Sequence, residues 1–192
     1  LEDYSTRNVP IADLLIDGKA ICDGYADTVT MLFNMAGIET ASANGVSNET
    51  TSGHTINFAK LDGEYYYFDA SADSIVFEKG FKPAFYFGMS WEETSDSFTF
   101  DDKFQNRCPK TEKSLLSGNI DIVISDSSEK TIEKTAELVK SGGDMGIIVK
   151  FENGISDDDR KSITNSVALK VGEQIGSLSA DNRLYGIKIY KE

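Results

Sequence analysis

Apolar positions recur in two rhythms along this chain, and the switches between them divide it. From Tyr25 onward, Tyr25, Ala26, Val29, Leu32, Phe33 and Ala36 follow one another at three- and four-residue steps, the period of an amphipathic helix. Gly37 stands where that helix would stop, and its first turn begins near Cys22, where a loop ends. A small helix in PIADLLI, residues 10–16, leads through Asp17-Gly18 to that cysteine. The rhythm then changes to strands. A short strand is predicted over Ala41 to Val46, followed by a polar loop to Gly53. TINFAKL (55–61) and EYYYF (64–68) are strand-like runs separated only by Asp62-Gly63, a strong signal for a two-residue hairpin. IVFE (75–78) and FKPAFYFGMS (81–90) read as further strands extending the sheet. Trp91 and the aromatic residues from Phe98 to Phe104 either cover the sheet edge or line a groove, and cover is the simpler reading.

The character changes at about Thr111, and KTEKSLLSGN (110–119) reads as a connector before the pattern restarts. IDIVIS (120–125) reads as a strand, and Ser128 to Lys140 as a helix with Ile132, Ala136 and Val139 on one face. MGIIVKF (145–151) is a strand, Asp157 to Ile175 a helix, and LYGIKIY (184–190) a last strand. This βαβαβ order predicts a small open α/β sheet. Residues 1–112 and 113–192 are therefore expected to form separate domains, α+β then α/β.

Composition removes several classes of partner. Nineteen basic against thirty-two acidic residues give a net charge of −13, which repels nucleic-acid phosphates and anionic lipid surfaces. No apolar run reaches the length of a membrane helix. LEDYSTRNVP at the start carries neither an initiating methionine nor a signal peptide, so the chain reads as a piece of something longer. Two glycine- or acid-rich stretches fail as ligand loops. Ser141-Gly142-Gly143-Asp144 follows a helix and precedes a strand, the reverse of a phosphate-cradling loop, and reads as a helix end. Asp157, Asp158 and Asp159 lack the alternate spacing of a calcium loop and suit a helix start. Neither metal ion nor cofactor is expected.

Chemistry is concentrated in the first unit. At a helix N-terminus, unpaired N–H groups and the helix dipole favour a thiolate, so Cys22 is either an activated nucleophile or a small residue packing the helix start. Cys108, before Pro109 in a polar turn, has no such setting. His54 is the only histidine and hence the sole side chain with an ordinary pKa near neutrality. If Leu61 pairs with Glu64 across the Asp62-Gly63 turn, Ile56 faces Asp69 and His54 faces Ser71. His54 and Asp69 then become diagonal neighbours on one face. A carboxylate there can hold an imidazole in one tautomer. Taken singly, Asp69 is equally a strand-end residue serving a turn.

Cys22 in GKAICDGYAD and His54 and Asp69 in SGHTINFAKLDGEYYYFDAS resemble the transglutaminase-like superfamily of papain-like cysteine enzymes. The matching positions are Cys22, Gly24, Tyr25, Ala26, Gly37, Ile38, Gly53, His54, Asn57, Asp69, Ala70 and Ser71, within a resemblance covering roughly residues 10–110. It implies a papain-like core, a Cys-bearing helix packed on an antiparallel sheet. It also implies Cys22 as nucleophile, His54 as general base and then acid, Asp69 as orienter, and a thioester intermediate passed to water or to an amine. The Cys22 backbone N–H would serve the oxyanion. Ile56 stands where many bacterial members carry an aromatic residue, and Ala72-Asp73 where they carry tryptophan. Those departures imply a different acyl groove. The expected substrates are protein, peptide or peptidoglycan-type amides, and the expected setting is a bacterial cell surface or the extracellular space. The rival readings are a transglutaminase-like module that binds without turnover, or a C-terminal unit that recognises a protein or glycan.

Overall fold

The computed structural model describes residues 10–152, 155–179 and 184–190, so the opening LEDYSTRNV lies outside the described residues. It is α+β, with an antiparallel five-stranded sheet and a four-stranded mixed sheet. The chain forms two compact units, Leu1–Asp73 with Tyr86–Leu116, and Ser74–Phe85 with Ser117–Glu192.

In the first unit a short helix, α1 (Pro10–Ala12), runs into a π-helical stretch, Asp13–Asp17, which ends at left-handed Gly18. The long helix α2 (Cys22–Met35) follows. It closes in a Schellman turn, with Gly37 at φ 76°, its N–H on Asn34 O and the Ile38 N–H on Phe33 O. Strands β1 (Thr40–Ser47), β2 (Gly53–Leu61), β3 (Glu64–Phe68), β4 (Phe87–Met89) and β5 (Phe98–Phe100) make the sheet in the order β4-β3-β2-β1-β5. Asp62 and Gly63 take positive φ, 51° and 85°, the backbone of a type I′ hairpin turn. Leu61 pairs with Glu64 and Asn57 with Phe68, the register expected from the turn.

The two faces of this sheet are used differently. Ala59, Tyr66 and Phe68 pack with Phe33 and Ile38. On the alternate positions, Phe58 and Phe100 pack against Tyr67, and Trp91 stacks on Phe100 at 4.4 Å. Trp91 begins α4 (Trp91–Ser97), whose N-cap Ser90 and Glu93 form a capping box. A short α5 (Asp102–Gln105) follows β5. Trp91 thus packs on the sheet, whereas Phe98 and Phe100, expected with it to cover the edge, are themselves the edge strand β5.

One expected strand is a helix. IVFE lies in α3 (Ala70–Glu78). A short apolar run does not distinguish strand from helix, and here the residue before it decides. Asp69 Oδ1 accepts the Ala72 N–H at 2.9 Å and the Ser71 hydroxyl at 2.7 Å, which caps a helix start.

The second unit contains β6 (Ile122–Ile124), α6 (Glu129–Ser141), β7 (Ile147–Phe151), α7 (Asp157–Val171), β8 (Ile175–Ser179) and β9 (Leu184–Ile189). Ile124, Val139, Val149, Ile163, Val167 and Ile187 share its core. Two expectations are corrected. The helix expected to reach Ile175 stops at Val171, because Gly172 turns left-handed at φ 75°. Ile175 instead opens β8, a strand not expected from the sequence, giving sheet order β6-β7-β9-β8 with only β6 and β7 parallel. The domain division also differs, because residues 74–85 belong with this unit. Lys188 Nζ donates to Lys79 O and Gly80 O at 3.1 and 2.9 Å, and the Lys82 N–H donates to Met145 O. Among the described residues no helix is long and apolar enough to cross a membrane.

Candidate active site

Cys22 is the first residue of α2, after Ile21, an extended N-cap with no side-chain hydrogen bond to the helix. The first-turn N–H groups therefore have neither intrahelical acceptors nor a side-chain cap, and the thiol at this helix start is half-buried. Of the apolar stripe read from the sequence, Ala26 is buried, Phe33 is half-buried, and Leu32 and Ala36 are exposed. Asn57 sets this rotation. Its side-chain NH₂ donates to Ala26 O and to Thr30 Oγ1, both at 3.0 Å, which fixes the face that α2 turns toward β2.

His54 lies near the start of β2, and its Nε2 is 2.6 Å from Asp69 Oδ2. The β2–β3 ladder ends at Phe68, so Asp69 is not paired with Ile56. Its N–H instead donates to Tyr86 O at 3.0 Å. Asp69 is buried and its two oxygens are divided, one serving the α3 cap and the other His54. With Nε2 on Asp69, the ring nitrogen left for the Cys22 thiol is Nδ1.

The electrostatics follow from this chain of contacts. The hydrogen bond to Asp69, then that to Cys22, pushes the His54 pKa up to about 10 against the opposing effect of burial. The Cys22 thiol is pulled below its ordinary value first by the His54 hydrogen bond. Burial opposes this, the His54 charge and the Thr55 N–H favour it, and the Asp23 charge opposes it. Both shifts favour the thiolate–imidazolium form of the pair. Cys108 is buried, and burial pushes its thiol up.

Two further residues, neither assigned to the site from the sequence, position His54. Phe98 lies 6.1 Å from the imidazole, ring to ring, and is itself buried. Gly45 pairs with His54 on one side and Phe100 on the other. A Cβ at Gly45 would overlap Thr99 O and approach the Phe98 ring to 2.6 Å. A strand glycine signals close backbone approach, but which ring fills the space depends on β5, distant in sequence. Gly45→Ala is expected to destabilise the first unit by about 1–3 kcal/mol, the usual cost of overpacking. Denaturant unfolding followed by Trp91, the single tryptophan, measures this in the unit that contains it.

Cys22, His54 and Asp69 thus come together as a hydrogen-bonded series. No protein-family model matches the chain, and no curated protein does. The functional reading stands on this geometry.

Proposed function

We propose that this protein is a cysteine-dependent enzyme of transglutaminase-like, papain-type organisation, acting on protein or peptide amide bonds through a thioester at Cys22. The observation that carries the reading is the uninterrupted relay from a helix-start thiol through the single histidine to a buried, doubly anchored carboxylate. The thiolate attacks the amide carbonyl, and the new C–S bond places negative charge on the carbonyl oxygen beside the free N–H groups of α2. The His54 imidazolium then gives its proton to the departing nitrogen as the C–N bond breaks. Neutral His54 next takes a proton from water or an amine, which attacks the thioester and returns the electron pair to sulfur. Asp69 keeps the imidazole oriented throughout and opposes its positive charge.

The test is incubation with a mixed peptide pool, with and without a primary amine, read by mass spectrometry for cleavage, side-chain deamidation and amine adducts. Products made by the parent and not by Cys22→Ala support the reading; identical product lists overturn it. With a substrate in hand, the pH profile is expected to be a bell. Its acid limb follows formation of the depressed Cys22 thiolate, and its alkaline limb follows loss of the His54 proton near 10. Asp69→Asn removes the largest cause of the raised His54 pKa, so the alkaline limb moves to lower pH. Turnover falls by roughly 10²–10⁴-fold, as when a triad's orienting carboxylate is lost.

A further inference from the structure

Asp23 follows the nucleophile directly, is exposed, and accepts a hydrogen bond from Thr55 Oγ1. Thr55 is itself buried, and its backbone N–H lies near the Cys22 thiol and favours the thiolate. One residue therefore adjoins both the thiol and the neighbouring carboxylate, and its hydroxyl holds the carboxylate near the attacking sulfur. Among the described residues no lysine or arginine forms an ion pair with Asp23. None of the described cations therefore neutralises its charge. It also acts against the nucleophile, since a negative charge here disfavours the thiolate. A carboxylate pinned in place, with no ion-pair partner among the described residues and opposed to activation of the thiol, serves something other than that activation.

We infer that Asp23 determines substrate charge at this site, favouring amides flanked by a cationic group and rejecting those flanked by a carboxylate. The inference rests on the reading of Cys22 as the nucleophile. The physical basis is short-ranged. An exposed unit charge a few ångströms from an incoming group changes its local concentration severalfold at low salt, and screening removes most of that effect at high salt. The His54 imidazolium pulls the other way, so the informative quantity is the change on removing Asp23 alone.

The experiment needs no substrate. Cys22 in the intact chain is modified with three methanethiosulfonates: neutral methyl, cationic trimethylammonioethyl and anionic sulfonatoethyl. Each rate is divided by that for a cysteine in a short neutral peptide. Asp23→Asn keeps the oxygen that accepts from Thr55 and removes the charge. It is expected to lower the cationic-to-anionic rate ratio by about three- to tenfold at low salt, with no fall in the rate of the neutral reagent. Thr55→Val, which unpins the carboxylate and keeps the backbone N–H, lowers the ratio part of the way. Molar salt lowers it in the parent. Asp27→Asn, exposed one turn further along α2, leaves it unchanged and controls for the overall charge of the chain. If Cys22 reacts readily and Asp23→Asn leaves the ratio as in the parent, or if Asp27→Asn lowers it equally, the charge-selection proposal is overturned while the nucleophile reading stands. If Cys22 reacts no faster than the peptide thiol at pH 6 with any reagent, the nucleophile reading fails and takes this proposal with it.

Discussion

Cys22 is expected to be alkylated by iodoacetamide well below the pH at which an ordinary thiol, near 8.5, ionises, and His54→Ala is expected to abolish that reactivity. Three effects favour the thiolate, namely the hydrogen bond to His54, the charge of the imidazolium and the Thr55 N–H. Two of them leave with the histidine. What remains after the substitution is burial and the Asp23 charge, both of which raise the thiol pKa, against the helix start and one N–H. The fraction of thiolate below its pKa falls tenfold for each unit by which that pKa rises. Labelling of Cys22 at pH 6 should therefore slow by at least about tenfold. Cys108 is the internal reference, since burial alone pushes it up and no histidine approaches it. Mass spectrometry after a pH series reads both thiols in one sample. Equal profiles for Cys22 and Cys108 in the parent would show that the relay is not assembled.

The second large effect is on stability, and it arises at Asn57. This side chain is 1% exposed and spends both N–H donors on α2, one on Ala26 O and one on Thr30 Oγ1. Replacing it with alanine removes both side-chain bonds from β2 to α2 and leaves a void between helix and strand. Each hydrogen bond lost costs about 0.5–1.5 kcal/mol and the void adds to this, so Asn57→Ala is expected to destabilise the first unit by roughly 2–4 kcal/mol. The denaturant midpoint reported by Trp91 fluorescence should fall accordingly. Asn57→Ala is also expected to slow Cys22 labelling at pH 6 in the molecules that remain folded, because α2 is then no longer held against β2. A normal labelling rate with a lowered midpoint would mean that Asn57 supports the fold without aligning the thiol.

Much of this site is legible because its geometry is local. The helix period from Tyr25 and the stop at Gly37 put Cys22 at a helix start, and the Asp62-Gly63 turn sets the register that brings His54 near Asp69. Where the reading failed, the missing signal was also local. Asp69 caps the following helix as well as orienting the histidine, so IVFE is helical, and Gly172 ends α7 before β8. Both positions carried the mark of a helix boundary. An apolar run such as IVFE fits strand or helix until its caps are considered.

Other features needed the folded chain. Nothing near Asn57 in sequence says that its amide pins a helix some thirty residues earlier. The pairing of Gly45 with both His54 and Phe100 joins segments that the chain keeps apart, and so does the placement of Phe98 on the imidazole. The same holds for Lys188, whose ammonium group captures the carbonyls of Lys79 and Gly80 and joins residues 74–85 to the second unit. The amino-acid sequence by itself determined the elements that periodicity, turn dihedrals and strand register dictate, and with them the meeting of histidine and aspartate. The tertiary structure alone decided which ring nitrogen faces the thiol, what walls the imidazole, and which hydroxyl holds the carboxylate beside Cys22. Those outcomes depend on packing between segments far apart in the chain, where a side chain's partner is chosen by space and desolvation rather than by its neighbours in sequence.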